Sequence, residues 1–147
     1  MINQNNALNT QIEIVQISMY CDIIKNILIK HRSLSVIKIL TFSFIIKKNK
    51  CLRLDCFSAK NKNDLVLKCL SQIAGRYDEF KEQLKFIFSA LDILIKNNIC
   101  SLHITEVICN IPEILDIEDY GTFMSSAIEE GKQYTDRQFL REVISIV

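Results

Sequence analysis

The sequence predicts a mainly α-helical fold, and three observations support this prediction. The 147 residues include only three glycines and one proline, too few for the turns of most β-sandwiches and barrels. Apolar residues recur at helical spacing along the longest segments. Hydrophobic residues make up 49% and charged residues 24% of the chain, a composition that excludes disordered and collagen-like classes. We therefore expect one mostly helical domain around a single core.

The first predicted helix covers about residues 8–30. Five of its apolar residues follow the 3, 4, 3, 4 spacing of a heptad pattern: Ile14, Ile17, Cys21, Ile24 and Leu28. Ile12, Ile23 and Ile27 widen this face. The broad face indicates core packing more than an intermolecular coiled coil, because three heptads are few for a coil.

Two shorter helices are expected next. Ser33 is a suitable N-cap for a helix over residues 33–48, which ends in lysines. Residues 52–56 alternate between apolar and charged side chains, a pattern that allows a short strand. A third helix is predicted over residues 64–74, where Gly75 in the C′ position ends it.

The fourth helix, over residues 79–97, has the clearest pattern in the sequence. Its apolar residues repeat at a spacing of 4, 3, 4, 3 and should face the core: Phe80, Leu84, Ile87, Leu91 and Leu94. Phe88 and Ile95 lie beside this seam. The two short runs that follow, residues 100–104 and 107–111, are typical of a small β-hairpin.

The last third of the chain predicts two more helices. One covers residues 122–130 and is ended by Gly131. The other opens with a capping box from Thr135 to Gln138. The order of helices, long helix and hairpin predicts a winged-helix-like core over residues 33–111. The N-terminal helix, residues 1–32, precedes this core, and C-terminal helices, residues 112–147, follow it in the same domain.

Few residues offer catalytic chemistry. The chain has two histidines, His31 and His103, and we expect both on the surface. A dyad of His103 with Cys100 lacks an orienting third group. Cys51 and Cys56 have no second pair of ligands at a usable spacing for a structural zinc site. With no Gly-rich phosphate loop either, we expect no enzymatic activity, no cofactor and no metal site.

Hydropathy and the N-terminal sequence predict a cytoplasmic protein without a membrane partner. No stretch approaches the roughly 20 apolar residues of a membrane-spanning helix, and the polar N-terminus differs from a signal peptide. In the cytoplasm the six cysteines should be reduced thiols. Cys21 and Cys69 lie in apolar helical stripes and should pack as small hydrophobic residues.

Charge is unevenly distributed, although the formal net charge is only +1. Residues 47–68 contain seven basic and two acidic side chains, and residues 106–147 contain nine acidic and three basic ones. The basic stretch is suited to contact with a phosphate backbone, although a solvated loop or a loop facing an acidic partner is the favoured interpretation. The candidate contact residues for nucleic acid or a partner are Lys47, Lys48, Lys50, Arg53, Lys60 and Lys62.

The segments at residues 35–50 and 58–100 resemble the middle-component proteins of bacterial ABC-three-component systems, the Lamassu-type defence operons. The shared pattern is an early helix with a Ser-Leu-Ser start, a loop leading to an Asp-Leu helix at Asp64, and a long helix that ends in an apolar turn. The resemblance covers about residues 33–111.

This resemblance implies a non-enzymatic adaptor subunit, similar in shape to the winged-helix accessory proteins of SMC complexes. Such a subunit joins an SMC- or Rad50-like ATPase to an effector, commonly a nuclease, in defence against phages and plasmids. Contact with DNA would occur through the complex. The mean hydropathy of +0.17 agrees with this expectation, because it indicates apolar surface that a partner covers.

A stand-alone winged-helix transcriptional regulator is the alternative. Its recognition helix should expose Arg, Asn or Gln side chains that read base edges. The fourth predicted helix instead exposes a mixture of acids and lysines: Glu79, Lys81, Glu82, Lys85, Asp92 and Lys96. The pattern therefore favours the adaptor over the regulator.

Overall fold

Helices and one small sheet account for most of the residues that the computed structural model describes, which are 2–49, 62–114, 117–118 and 120–147; the side chains of residues 2–3 and 62–64 lie outside this description. The elements in chain order are α1 (Ile2–His31), β1 (Ser33–Ser35), α2 (Val36–Asn49), α3 (Lys62–Leu70), a 3₁₀ helix (Ser71–Ile73), α4 (Tyr77–Lys96), β2 (Cys100–His103), β3 (Glu106–Cys109), α5 (Thr122–Lys132) and α6 (Asp136–Ile146). The prediction of a mainly α fold is confirmed.

The core is built around α2. Residues 38–46 of this helix are all buried, as expected for a helix that is surrounded by neighbours and is apolar on most sides. The buried residues of all six helices and of the sheet form one continuous cluster. Among the described residues, no helix is both long and apolar enough to cross a membrane.

The predicted seam of α4 is confirmed. Phe80, Ile87, Leu91 and Leu94 are buried, and Leu84 is partly buried against the core. Phe88, beside the seam, is half exposed. The helix begins at Tyr77, two residues earlier than expected.

The hairpin is confirmed and has a third strand. The sheet is antiparallel with strand order β1-β3-β2. Leu34 of β1 pairs with Val107 of β3, and Cys100 of β2 pairs with Cys109. These four residues are buried, so one face of the sheet closes the end of the helical core.

The predicted N-cap at Ser33 is wrong. Residues 33–35 form β1, where Ser33 pairs with Ile108, and α2 begins only at Val36. The Val36 amide donates a hydrogen bond to the Thr105 carbonyl at 2.9 Å. Pairing with the hairpin therefore gives the first amide of α2 a hydrogen-bond acceptor, which a side-chain cap would otherwise provide.

The predicted helix end at Gly131 is also wrong. Helix α5 continues to Lys132, and Gly131 is buried within it. A Cβ atom at this position would lie 3.0 Å from Cζ of Phe42. Gly131 thus permits close approach of the Phe42 ring, and does not end the helix.

Other predicted helix boundaries agree with the structure. Gly75 follows Ala74, the C-cap of the 3₁₀ helix, and has φ +71°, the left-handed conformation expected at C′. The capping box of α6 is present: the Gln138 amide donates to Thr135 Oγ1 at 3.1 Å, and the Thr135 amide donates to Gln138 Oε1 at 3.0 Å. The possible strand over residues 52–56 lies outside the described residues.

Only part of α1 packs as predicted. Ile24 and Leu28 are buried, and Ile17 and Cys21 are partly buried against the core. Ile14, assigned to the same seam, is 59% exposed. Residues 4–15 are exposed throughout, because α1 extends past the elements that cover its C-terminal half.

Candidate functional site

The structure places two of the six predicted basic contact residues with their side chains. Lys47 and Lys48 lie in the last turn of α2. Lys62 begins α3, and its side chain is not among those described. Lys50, Arg53 and Lys60 lie outside the described residues. The proposed basic contact surface therefore stays a prediction.

Lys47 makes contacts within its own chain, where α1, α2 and α4 meet. Its Nζ donates to Gln83 Oε1 at 2.8 Å and to Gln16 Oε1, and it lies 4.7 Å from the centre of the Tyr20 ring. Gln83 Oε1 also accepts a hydrogen bond from the Tyr20 hydroxyl at 2.8 Å. Lys47 is thus part of the packing of three helices.

Lys48 is also engaged. Its Nζ forms an ion pair with Glu79 and lies 5.9 Å from the centre of the Phe44 ring. Arg76 approaches the same carboxylate at 3.5 Å. Together the two lysines border a cavity of about 150 Å³. Charge reversal at Lys47 or Lys48 would change these internal contacts, so any test of DNA contact there needs a parallel measurement of folding.

The expectation that His31 lies on the surface is wrong. Its side chain is buried at the end of α1, and its Nδ1 lies 2.6 Å from Glu129 Oε1 of α5. Lys132 donates to the His31 carbonyl and lies 3.4 Å from the same Glu129 oxygen. These contacts join the end of α1 to α5 beside an open cleft of about 300 Å³ that includes Ser125 and Ser126.

Burial dominates the electrostatics of this cluster. It lowers the pKa of His31 below the ordinary value of 6.5, although the hydrogen bond to Glu129 opposes the shift. Partial burial acts to raise the pKa of Glu129, but His31 and Lys132 together outweigh it and lower that pKa. The lowered pKa values of His31 and Glu129 are both consistent with a neutral His31 whose Nδ1–H donates to the Glu129 carboxylate.

We expect the chain to lose stability as the pH falls below 6.5. The pKa of His31 is lower in the folded state, so the unfolded state binds more protons and the free energy of unfolding decreases on acidification. Urea unfolding at pH 7.5 and 5.5 measures this effect. His31→Gln should flatten the dependence, and His103→Gln, at the exposed histidine, should retain it. Greater stability at pH 5.5 would show that His31 is charged in the folded state.

Cys69 and Cys21 both pack as apolar, unpaired thiols, as predicted. Cys69 is a free, buried thiol beside Met124, as expected, and burial raises its pKa to about 12. Cys21 is free and partly buried.

Cys100 is buried, with its pKa raised to about 11, while His103 is exposed. Because the thiol favours its protonated form and the imidazole lies in solvent, these residues are poorly suited to act as a catalytic dyad. No metal-binding group of His, Cys, Asp or Glu occurs in the described part of the chain, and Cys51 and Cys56 are outside it.

An apolar groove lies between α2, α6 and the hairpin turn. It has a volume of about 400 Å³, with an apolar floor and Asp136 and Arg137 at its margin: the lining residues are Val36, Ile37, Leu40, Thr105, Asp136, Arg137 and Leu140. Lys38, next to Ile37 in the sequence, is buried, donates to the Tyr134 carbonyl at 2.6 Å and lies 3.8 Å from the Asp136 carboxylate. We call this feature the α2–α6 groove.

Ile104 stands at the hairpin turn beside the groove. Expected to belong to a strand, it is instead the first residue of a two-residue turn between His103 and Glu106. Its side chain is 96% exposed and its φ is +60°. A β-branched residue is strongly disfavoured in this left-handed region, where Gly or Asn is usual. The sequence gives no sign of this turn, because the segment His-Ile-Thr-Glu lacks every residue that usually marks one.

No family model, no curated protein and no solved structure matches the chain. The resemblance to Lamassu-type middle components therefore stays a prediction from the sequence.

Proposed function

We propose that the chain is a non-enzymatic adaptor subunit of a defence complex, which bridges an SMC- or Rad50-like ATPase and an effector nuclease. The sequence resemblance suggests these partners. The order of one helix, a strand, further helices and a hairpin, with β1 beside β3, is compatible with the winged-helix-like core of such adaptors. Contact with DNA would occur within the assembled complex.

The observation that best supports an adaptor role is Ile104. The residue combines an unfavourable backbone conformation with a nearly complete exposure of its apolar side chain. Strain of this kind costs about 1–3 kcal/mol, and the exposed side chain gains no packing within the chain. Burial of Ile104 against a partner would offset both costs, which makes the turn a suitable anchor.

The α2–α6 groove extends this surface. Its apolar floor is suited to the apolar face of a partner helix, and Asp136 and Arg137 at the margin can give polar contacts at the rim. Leu140, in the groove, and Ile144, one turn further along α6, are also exposed. We propose that this surface binds one of the two partner subunits, and the ATPase subunit is the one tested first.

The regulator alternative has less support from the exposed face of α4. Lys96 pairs with Asp92 at 2.6 Å, and Lys85 approaches Glu13 at 4.0 Å. A recognition helix would bring Asp92 and Glu82 toward DNA phosphates, which repel carboxylates.

Ile104→Asn tests the proposal with two opposed readouts. Asn tolerates the left-handed conformation, so the free energy of unfolding of the isolated chain should rise by about 1 kcal/mol. Retention of the ATPase subunit on the tagged chain, after co-expression of the three components, should fall several-fold. Ile93→Gln, at an exposed isoleucine of α4, is the matched control and should leave retention unchanged. A stabilised Ile104→Asn chain that retains the ATPase as well as wild type would exclude the turn as the anchor.

A further inference from the structure

The N-terminal half of α1 has a second apolar seam that faces away from the body. Leu8, Ile12, Val15 and Met19 follow a spacing of 4, 3, 4, the spacing of coiled-coil contact positions. All four are exposed, by 37% to 57%. We call this set the N-terminal seam.

The N-terminal seam lies opposite the packed face of the same helix. At 3.6 residues per turn, its four residues lie about half a turn around α1 from Ile17, Cys21, Ile24 and Leu28, which pack on the core. A second helix can therefore reach the seam without displacing α4. An uncovered helix of this length is marginally stable in water, so contact along the seam would also stabilise the helix itself.

The seam and its flanks have no charge. Glu13 is the only ionisable side chain among residues 4–19, and it lies on the packed side, 4.0 Å from Lys85. The flanking positions are Asn9, Gln11, Gln16 and Ser18, of which Gln16 accepts a hydrogen bond from Lys47 of α2. Charges at the flanking positions of a paired helix restrict which partner it accepts, and this segment has no ionisable residue there. A neutral face meets an identical face without repulsion, and a two-fold pair requires such self-complementarity.

We propose that the N-terminal seam pairs with that of a second copy of this chain, in an antiparallel two-helix dimer. With the two-fold axis midway between Ile12 and Val15, Leu8 lies opposite the partner copy's Met19, and Ile12 lies opposite its Val15. The next layer pairs Asn5 with Asp22, whose amide and carboxylate can form a hydrogen bond. A parallel pair would instead place the two Asp22 carboxylates together. The antiparallel arrangement also places the packed helical cores of the two copies at opposite ends of the helix pair.

The test is sedimentation velocity on the full chain over a concentration series. The wild-type mass should approach twice 17.0 kDa as the concentration rises. The disrupting variant is Ile12→Lys/Val15→Lys, in which every introduced lysine faces another across the antiparallel pair. It should raise the dissociation constant by about 100-fold or more. Because both positions are exposed and outside the core, circular dichroism should show any loss of helix confined to the N-terminal half of α1, with the rest of the helix content unchanged.

Two further variants make the test specific. Ile14→Lys changes an exposed isoleucine of α1 that lies off the seam, and it should keep the dissociation constant within about twofold. Ile12→Lys/Val15→Glu places each introduced lysine opposite an introduced glutamate only in the antiparallel arrangement. This variant should associate at least about 10-fold more tightly than the double-lysine variant.

Several results would overturn the proposal. They are a wild-type monomer at all concentrations, a dimer that the double-lysine substitution does not weaken, and equal disruption by Ile14→Lys. A lysine–glutamate variant no tighter than the double-lysine variant would overturn the antiparallel arrangement. Protection of the seam amides from hydrogen exchange only when other subunits are bound would assign the seam to a partner helix. The dimer requires no other subunit, so its failure would leave the adaptor proposal standing.

Discussion

Phe42→Ala is expected to lower the free energy of unfolding by about 3–5 kcal/mol, the usual cost of truncating a large buried aromatic residue. Phe42 is fully buried in α2. Its ring lies 5.5 Å from the centre of the Phe139 ring on α6 and directly against Gly131 of α5. Helices α2, α5 and α6 therefore meet at the Phe42 side chain. Truncation to alanine leaves a cavity there, and Gly131 has no side chain that could move in to fill it.

Urea unfolding of the isolated chain measures this loss. Phe88→Ala is the matched control, since Phe88 is a half-exposed phenylalanine of α4, and we expect a change within about 0.5 kcal/mol. Phe42→Leu should lie between the two. Because Phe42 and Phe139 hold α6 against α2, Phe42→Ala should also loosen the α2–α6 groove and reduce retention of the ATPase subunit. Equal losses for Phe42→Ala and Phe88→Ala would contradict the packing described.

Tyr20→Ala is expected to cost a similar amount, about 3–5 kcal/mol. The Tyr20 side chain is fully buried, and burial raises the pKa of its hydroxyl above the ordinary value. The hydroxyl donates to Gln83, and the ring lies under the Lys47 ammonium group. Truncation therefore removes an apolar contact surface, a hydrogen bond and a cation–π contact from the junction of α1, α2 and α4.

Tyr20→Phe separates these contributions. It keeps the ring and removes only the hydroxyl, so we expect a loss of about 1 kcal/mol in the free energy of unfolding. Tyr77→Ala, at an exposed tyrosine in the first turn of α4, should change stability by no more than about 0.5 kcal/mol. If Tyr20→Phe were as damaging as Tyr20→Ala, the hydroxyl would dominate the junction and the packing account would be wrong.

Elements whose signal is local could be predicted from the sequence. The apolar seam of α4 repeats over five positions. A pattern of that length predicts a helix from the local sequence alone, without knowledge of the residues that pack against it. The capping box of α6 requires only Thr135 and Gln138, three residues apart. The hairpin follows from two short apolar runs with a polar interval.

Features set by distant contacts could not be predicted. Residues 33–35 form a strand because β3 lies beside them, and three residues are too few to show an alternating pattern. Gly131 stands within a helix because the Phe42 ring, 89 positions earlier in the sequence, occupies the space of a side chain. His31 is buried because Glu129 offers a hydrogen bond from another helix.

The candidate site was less predictable than the fold. The excess of basic residues at 47–68 predicted a contact surface for nucleic acid or a partner, but the side chains of Lys47 and Lys48 make contacts within their own chain. Ile104 has no sequence signature because its turn lacks the usual turn residues, and the α2–α6 groove has none because its lining comes from segments far apart in the sequence. Unpartnered surface on α1 was equally hidden, since the same helix has apolar residues on both faces.

The most direct test of the adaptor role is purification of the tagged chain from its native operon context, with identification and quantification of every co-purifying protein. We predict recovery of an SMC- or Rad50-like ATPase and a nuclease in a fixed ratio to the chain. We also predict loss of the ATPase when the bait is Ile104→Asn and not when it is Ile93→Gln. Recovery of the chain alone, as a protein that shifts a specific DNA duplex, would contradict the adaptor role and favour the regulator.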